Sequence, residues 1–183
     1  MKWKFGAVCL WFGCMAILLP ARGAETNTAV ARVGVYDSRA VVYAWFTSDT
    51  NMAKLKAEVA AAQAAKASGN DAKFKELSTA LRAKQDQIHR EVFSTAPAEE
   101  AMAEIKNRIP EIEKAAGVSD LVSKWDVRLS GDYKGAEQVD VTGQLVRAFI
   151  TPTDKQLKMI ESVIKSQPLP LDKCNELIKS GQI

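Results

Sequence analysis

Few side chains in this chain are both reactive and grouped. Histidine occurs once, at His89, and once the first 23 residues are set aside cysteine also occurs once, at Cys174. A zinc site built on several imidazoles is therefore excluded, and Cys174 is the one thiol that His89 could have as a companion. No G-x-S-x-G, C-x-x-C, phosphate-loop or dinucleotide pattern occurs. Two carboxylates can do acid–base work without a motif, and Asp126 with Asp140 is the pair to consider. Asp126 alternates onto the polar side of its segment, however, and Asp140 suits a turn. His89 reads as an ordinary exposed helix residue. No catalytic residue, cofactor or metal is expected, and the chain reads as not an enzyme.

Apolar binding is the chemistry left. Met52 and Leu55, then Phe74, Leu77, Leu81, Ile88 and Val92, then Met102, Ile105, Ile109 and Ile112 recur at helical spacings of three and four. The middle set is close to an a/d stripe with Lys84 filling one slot. These residues form either the seam between two helices or a surface for a partner, and methionine is adaptable on such a surface. The charges between them, Lys54, Lys56, Glu58, Lys73, Lys75 and Glu76, read as a solvated face.

The elements that must position these residues follow from changes of period. Residues 31–37 alternate Val33 and Val35 with Arg32, Gly34 and Tyr36, the pattern of a strand. Asp37 or Ser38 caps the next stretch, Arg39 to Phe46, which reads as a helix buried against the sheet with Trp45 and Phe46 in the core. Residues 51–68 are rich in Ala, Lys, Glu and Gln, strong helix formers. Breaks at Ser68-Gly69-Asn70-Asp71 and at Ser94-Thr95-Ala96-Pro97 are both candidates for a chain reversal. The expected result is a helical hairpin over about 50–117, bent at Pro110 and closed by Gly117 in the left-handed conformation. Trp125, Val127 and Leu129 then alternate toward Val139 and Val141, the pattern of a β-hairpin with one buried face. Thr142 or Asp140 caps a short helix, and Thr153 with Gln156 forms a capping box for a helix whose Leu157, Ile160, Val163 and Ile164 face inward. A last short helix surrounds Cys174. The fold class is α+β: a small β-sheet from segments 31–37 and 120–141, a protruding antiparallel helical hairpin, and C-terminal helices over 142–183.

The N-terminus has the layout of a secretion signal: Lys2 and Lys4, an apolar run from Phe5 to Leu19, and small residues at Ala21, Gly23 and Ala24. A cut after Gly23 puts Ala21 at the minus-three position. The alternative, an uncleaved anchor, has an apolar run of about 15 residues where about 20 are needed to span a bilayer. Residues 1–23 are thus read as a signal peptide and 24–183 as one exported domain. Of the 25 basic residues, Lys2, Lys4 and Arg22 belong to the leader, leaving 22 against 22 acidic ones. That neutral balance gives no nucleic-acid signature, and membrane contact is at most peripheral. Cys174 is left without an intrachain partner, so it serves as a small apolar residue or pairs between chains.

The order of strand, helix, long polar hairpin, strand pair and helix resembles the Skp (OmpH-like) periplasmic chaperone family. The likeness covers roughly Arg32 to Phe149. It is carried by the opening strand Arg32-Val33-Gly34-Val35-Tyr36-Asp37 and by Asp140-Val141-Thr142, where the strand pair gives way to a helix. The resemblance implies a homotrimer in which strands join in a small barrel while helical hairpins surround unfolded outer-membrane proteins. It implies no cofactor and no catalytic residue. The expected function is that of an exported holdase for unfolded envelope proteins; the alternative is a non-enzymatic coiled-coil structural or adaptor protein of the envelope.

Overall fold

The computed structural model describes residues 31–183. The expected leader, with Cys9 and Cys14, lies outside the described residues. Arg32–Tyr36 forms strand β1, and Asp37 ends it by capping helix α1, Ser38–Phe46, its carboxylate accepting from the Arg39 N–H. Arg39 does more than follow the cap. Its guanidinium grips Asp37 bidentately, Nε to Oδ1 at 3.1 Å and Nη2 to Oδ2 at 2.8 Å, with both side chains 1% exposed.

Two strands flank β1: β2, Leu121–Ser123, and β3, Glu137–Asp140. Both run parallel to it, in the order β2-β1-β3. The fold is thus a mixed α/β one, and the expected β-hairpin over Trp125–Val141 is corrected: β2 and β3 lie on opposite edges and never pair. Between them Asp126 accepts from the Arg128 N–H at 2.9 Å and caps a short 3-10 turn, Val127–Leu129. The alternation at 125–129 therefore belongs to a crossover loop and not to a strand. That loop brings the chain back to the start of the sheet, as parallel pairing requires.

Parallel pairing also explains the burial of β1, since such sheets are covered on both faces. Val33 and Val35 join Val122 beneath Leu129, Tyr133 and Ala136 of the crossover loop. On the opposite face Tyr36 and Leu121 pack with Val41, Val42 and Leu145 in the main core. Gly34 permits the close approach of β2, because a Cβ there would stand 2.6 Å from Leu121 Cδ2.

After α1, Ser48 caps helix α2, Asp49–Ala67. The chain reverses at Gly69, where φ is +71°, and helix α3, Asp71–Phe93, returns along α2. The Pro97 break is not a second reversal of that kind. Ser94 leaves α3 in an extended conformation, and the following segment is drawn to the core by the Ser38 hydroxyl, which donates to the Ala96 carbonyl at 3.0 Å. Helices α4, Glu99–Glu104, and α5, Ile109–Ala116, then replace the expected second arm. Pro110 does not bend a continuous helix; it sits in the first turn of α5, where its missing N–H costs nothing. Gly117 closes α5 at φ +64°.

Helix α6, Thr142–Phe149, starts where β3 ends. Asp140 Oδ1 accepts from the Thr142 N–H at 2.9 Å, and the Thr142 hydroxyl accepts from the Asp37 N–H at 3.0 Å, joining the ends of β3 and β1. Helix α7, Asp154–Lys165, carries the Thr153–Gln156 capping box. Of its four residues expected to face inward, Ile160 is buried and Val163 half-buried, whereas Leu157 and Ile164 are exposed because α6 and α1 cover only part of its apolar side. Helix α8, Leu171–Lys179, lies on α3 and buries Cys174 completely. Among the described residues the fold is eight helices around one three-stranded parallel sheet.

Truncating Arg39 leaves Asp37 buried without its cation. Arg39→Ala is expected to cost about 3–5 kcal/mol, read as a lower midpoint in urea unfolding.

Candidate functional site

The interface of α2 with α3 changes character along its length. Near the Gly69 turn it is closed by small side chains, Ala62 and Ala65, and by the Lys66 ammonium 5.5 Å above the Phe74 ring. Toward α1 it carries larger residues, and the helices do not close over them. Phe46 of α1, Leu55 and Val59 of α2, and Leu81 and Ile88 of α3 line an open groove of about 300 Å³. Lys84, Gln85 and His89 complete its wall.

Lys84 makes part of the groove wall polar. It occupies a seam position in the α3 stripe, yet its Nζ reaches across to both oxygens of Glu58 at 3.0 Å. This half-exposed ion pair spans the two helices and contributes about 1 kcal/mol or less to stability. His89 is half-buried, contrary to expectation. Its ring lies 5.5 Å from that of Phe93, and its Nδ1 is buried without a hydrogen-bond partner.

The residues singled out in sequence divide into two groups. Leu55, Leu81 and Ile88 meet in the groove, with Met52 half-buried near the start of α2 and Phe74 and Leu77 half-buried farther along α3. Met102, Ile105, Ile109 and Ile112 do not join the α2–α3 seam: Ile105 is part of the main core, and the other three pack against it. Ile88 touches that core as well, so the floor of the groove is continuous with it. Trp45 and Phe46 are half-buried and not enclosed; the Trp45 Nε1 donates to Glu104 Oε2 at 2.7 Å. Sequence reasoning missed Val59, which continues the Met52–Leu55 stripe four residues on within an alanine-rich helix, and the groove role of Phe46.

The paired-carboxylate alternative finds each acid engaged separately. Asp126 is held by Arg128, whose hydrogen bonds keep its carboxyl below the usual range. For Asp140 burial pushes the pKa up, but hydrogen bonds from Thr142 and the Lys124 ammonium 3.6 Å away hold it below normal. Among the described residues no cluster of three or more His, Cys, Asp or Glu side chains is arranged to hold a metal ion, and no helix is long and apolar enough to cross a membrane. Cys174 is buried with its Sγ directed at the His89 carbonyl, 4.0 Å away, so pairing between chains would require α8 to lift from α3. Comparison with known proteins finds no matching family model, no matching curated protein and no matching solved structure.

The two groups of apolar residues should respond differently to truncation. Ile105→Ala is expected to cost about 2–5 kcal/mol, while Leu81→Ala, at the open groove, should cost about 1 kcal/mol. Paired chemical-denaturation curves check the difference.

Proposed function

We propose that this protein is an exported, periplasmic, non-enzymatic holdase with a role similar to that of the Skp (OmpH-like) chaperones, binding apolar segments of unfolded envelope and outer-membrane proteins. The observation that carries the reading is the open apolar groove at the foot of α2 and α3. Its aliphatic and aromatic lining makes non-directional contacts proportional to area, which suit clients of many sequences better than one fixed shape. The polar rim of Lys84, Glu58 and Gln85 keeps the site solvated when empty.

In this reading α2 and α3 are the protruding antiparallel hairpin, and the α/β body is its base. The assembly is a homotrimer. Strand β3 supports this part of the proposal, since it is an edge strand with three of its four residues exposed, the kind of edge along which a neighbouring protomer can pair. The adaptor reading remains the second one, favoured by the modest size of the groove, which fits a few side chains of a single partner.

Light scattering of the exported chain should give three times the protomer mass, and the chain should suppress aggregation of several unrelated unfolded outer-membrane proteins. Val59→Asp and Leu81→Asp should lose that suppression, whereas Met159→Ser, an exposed site on α7, should retain it. A monomer that binds one folded partner and protects no unfolded protein would replace the holdase by the adaptor.

A further inference from the structure

Glu91 is a buried ionisable group that the groove does not use. It lies in the last turn of α3, beside Val92 of the main core and one turn beyond Ile88, and is 8% exposed. The Gln87 amide donates to its Oε1 at 3.1 Å, and Oε2 is buried with no hydrogen-bond partner. Among the described residues no cation forms an ion pair with it. Arg90, next in sequence, directs its Nε to Asn175 of α8 at 2.9 Å. Arg39 of α1 is committed to Asp37, and Glu58 of α2 is committed to Lys84. Cys174 of α8 faces the His89 carbonyl, and α4 brings further negative charge at Glu99 and Glu100.

We infer that Glu91 is a pH-sensitive latch at the root of α3: neutral, it packs α3 onto the core; ionised, it loosens the α3–α4 junction and the groove wall formed by Ile88 and His89. Its bearing on client binding rests on the proposed function, whereas the latch itself does not. The direction follows from the surroundings. Burial, then repulsion from Glu100 and Glu99, raises the Glu91 pKa, and the Gln87 hydrogen bond and Arg90 offset this only in part. The folded protein thus holds this proton more tightly than the unfolded chain, whose glutamate titrates near about 4.3. Glu91 therefore favours the folded state increasingly as pH falls through the folded-state pKa toward the unfolded value, and that gain is lost as pH rises.

The test is a carbon-13 NMR titration of the Glu91 carboxyl in the full chain, alone and with Glu99→Gln plus Glu100→Gln, together with melting of Glu91→Gln. The Glu91 midpoint should lie above the ordinary glutamate value and fall in the double variant. Glu91→Gln should melt about 2–4 °C above the wild type near neutral pH, with the gap closing as pH approaches about 4. Amide exchange over residues 92–98, corrected for intrinsic rates, should be faster in the wild type than in Glu91→Gln only above the midpoint. An ordinary or depressed midpoint, a melting gap that does not change with pH, or equal exchange protection at all pH would overturn the latch. Failure to suppress aggregation would overturn the holdase and leave these readouts unaffected.

Discussion

The Asp37–Arg39 pair at the carboxyl end of the central strand is the contact on which the remaining structure converges. Two charges removed from water carry a desolvation cost of several kcal/mol each, so the pair persists only where nearly every hydrogen-bonding position is filled. Here the guanidinium makes two bonds to the carboxylate, donates to the Ser166 carbonyl at the end of α7 at 2.9 Å, and lies 5.2 Å above the Trp125 ring of the crossover loop. The Asp37 N–H donates to Thr142, which fixes the start of α6. Three separate parts of the chain, the end of α7, the crossover loop and the start of α6, are thereby held at one strand end. The contribution of the pair is geometric specification more than net stability.

That specification matters because the sheet is so small. Three short strands cannot form a stable core alone, and parallel strands need cover on both faces. The crossover loop supplies one cover, and α1, α4 and α6 supply the other. The residues that a second arm would have used, Ile105 and its neighbours, are drawn into this second layer. What remains outside is α2 with α3, joined to the body through α1 and the last turn of α3. An apolar groove at that junction is the consequence of helices that serve the core at one end and only each other at the opposite end.

Two buried carboxylates show how position decides electrostatic behaviour. Asp37 meets a guanidinium in a bidentate geometry, whereas Glu91 meets one neutral amide and leaves an oxygen unpaired. The first is locked in one arrangement. The second is placed where the extended helix pair meets the core, so a change in its charge acts on the boundary between those two parts.

The sequence alone determined what depends on nearest neighbours along the chain. The opening strand, a cap at Asp37 or Ser38, the break at Gly69, the left-handed Gly117 and the Thr153–Gln156 capping box each need only a few adjacent residues, because backbone sterics and short side-chain hydrogen bonds act over one turn. It also carried the apolar stripes, though not what they face, since a period of 3.6 is the same against a core as against another helix. Tertiary structure decided the rest. Only the position of β1 between two distant segments makes the sheet parallel and turns Trp125–Leu129 from an apparent strand into a crossover. Only folding brings Lys84 to Glu58, 26 residues apart, at the wall of the groove. Only folding gives Arg39 a buried partner and leaves Glu91 without one, because desolvation and ion pairing depend on distances in space that no local pattern encodes.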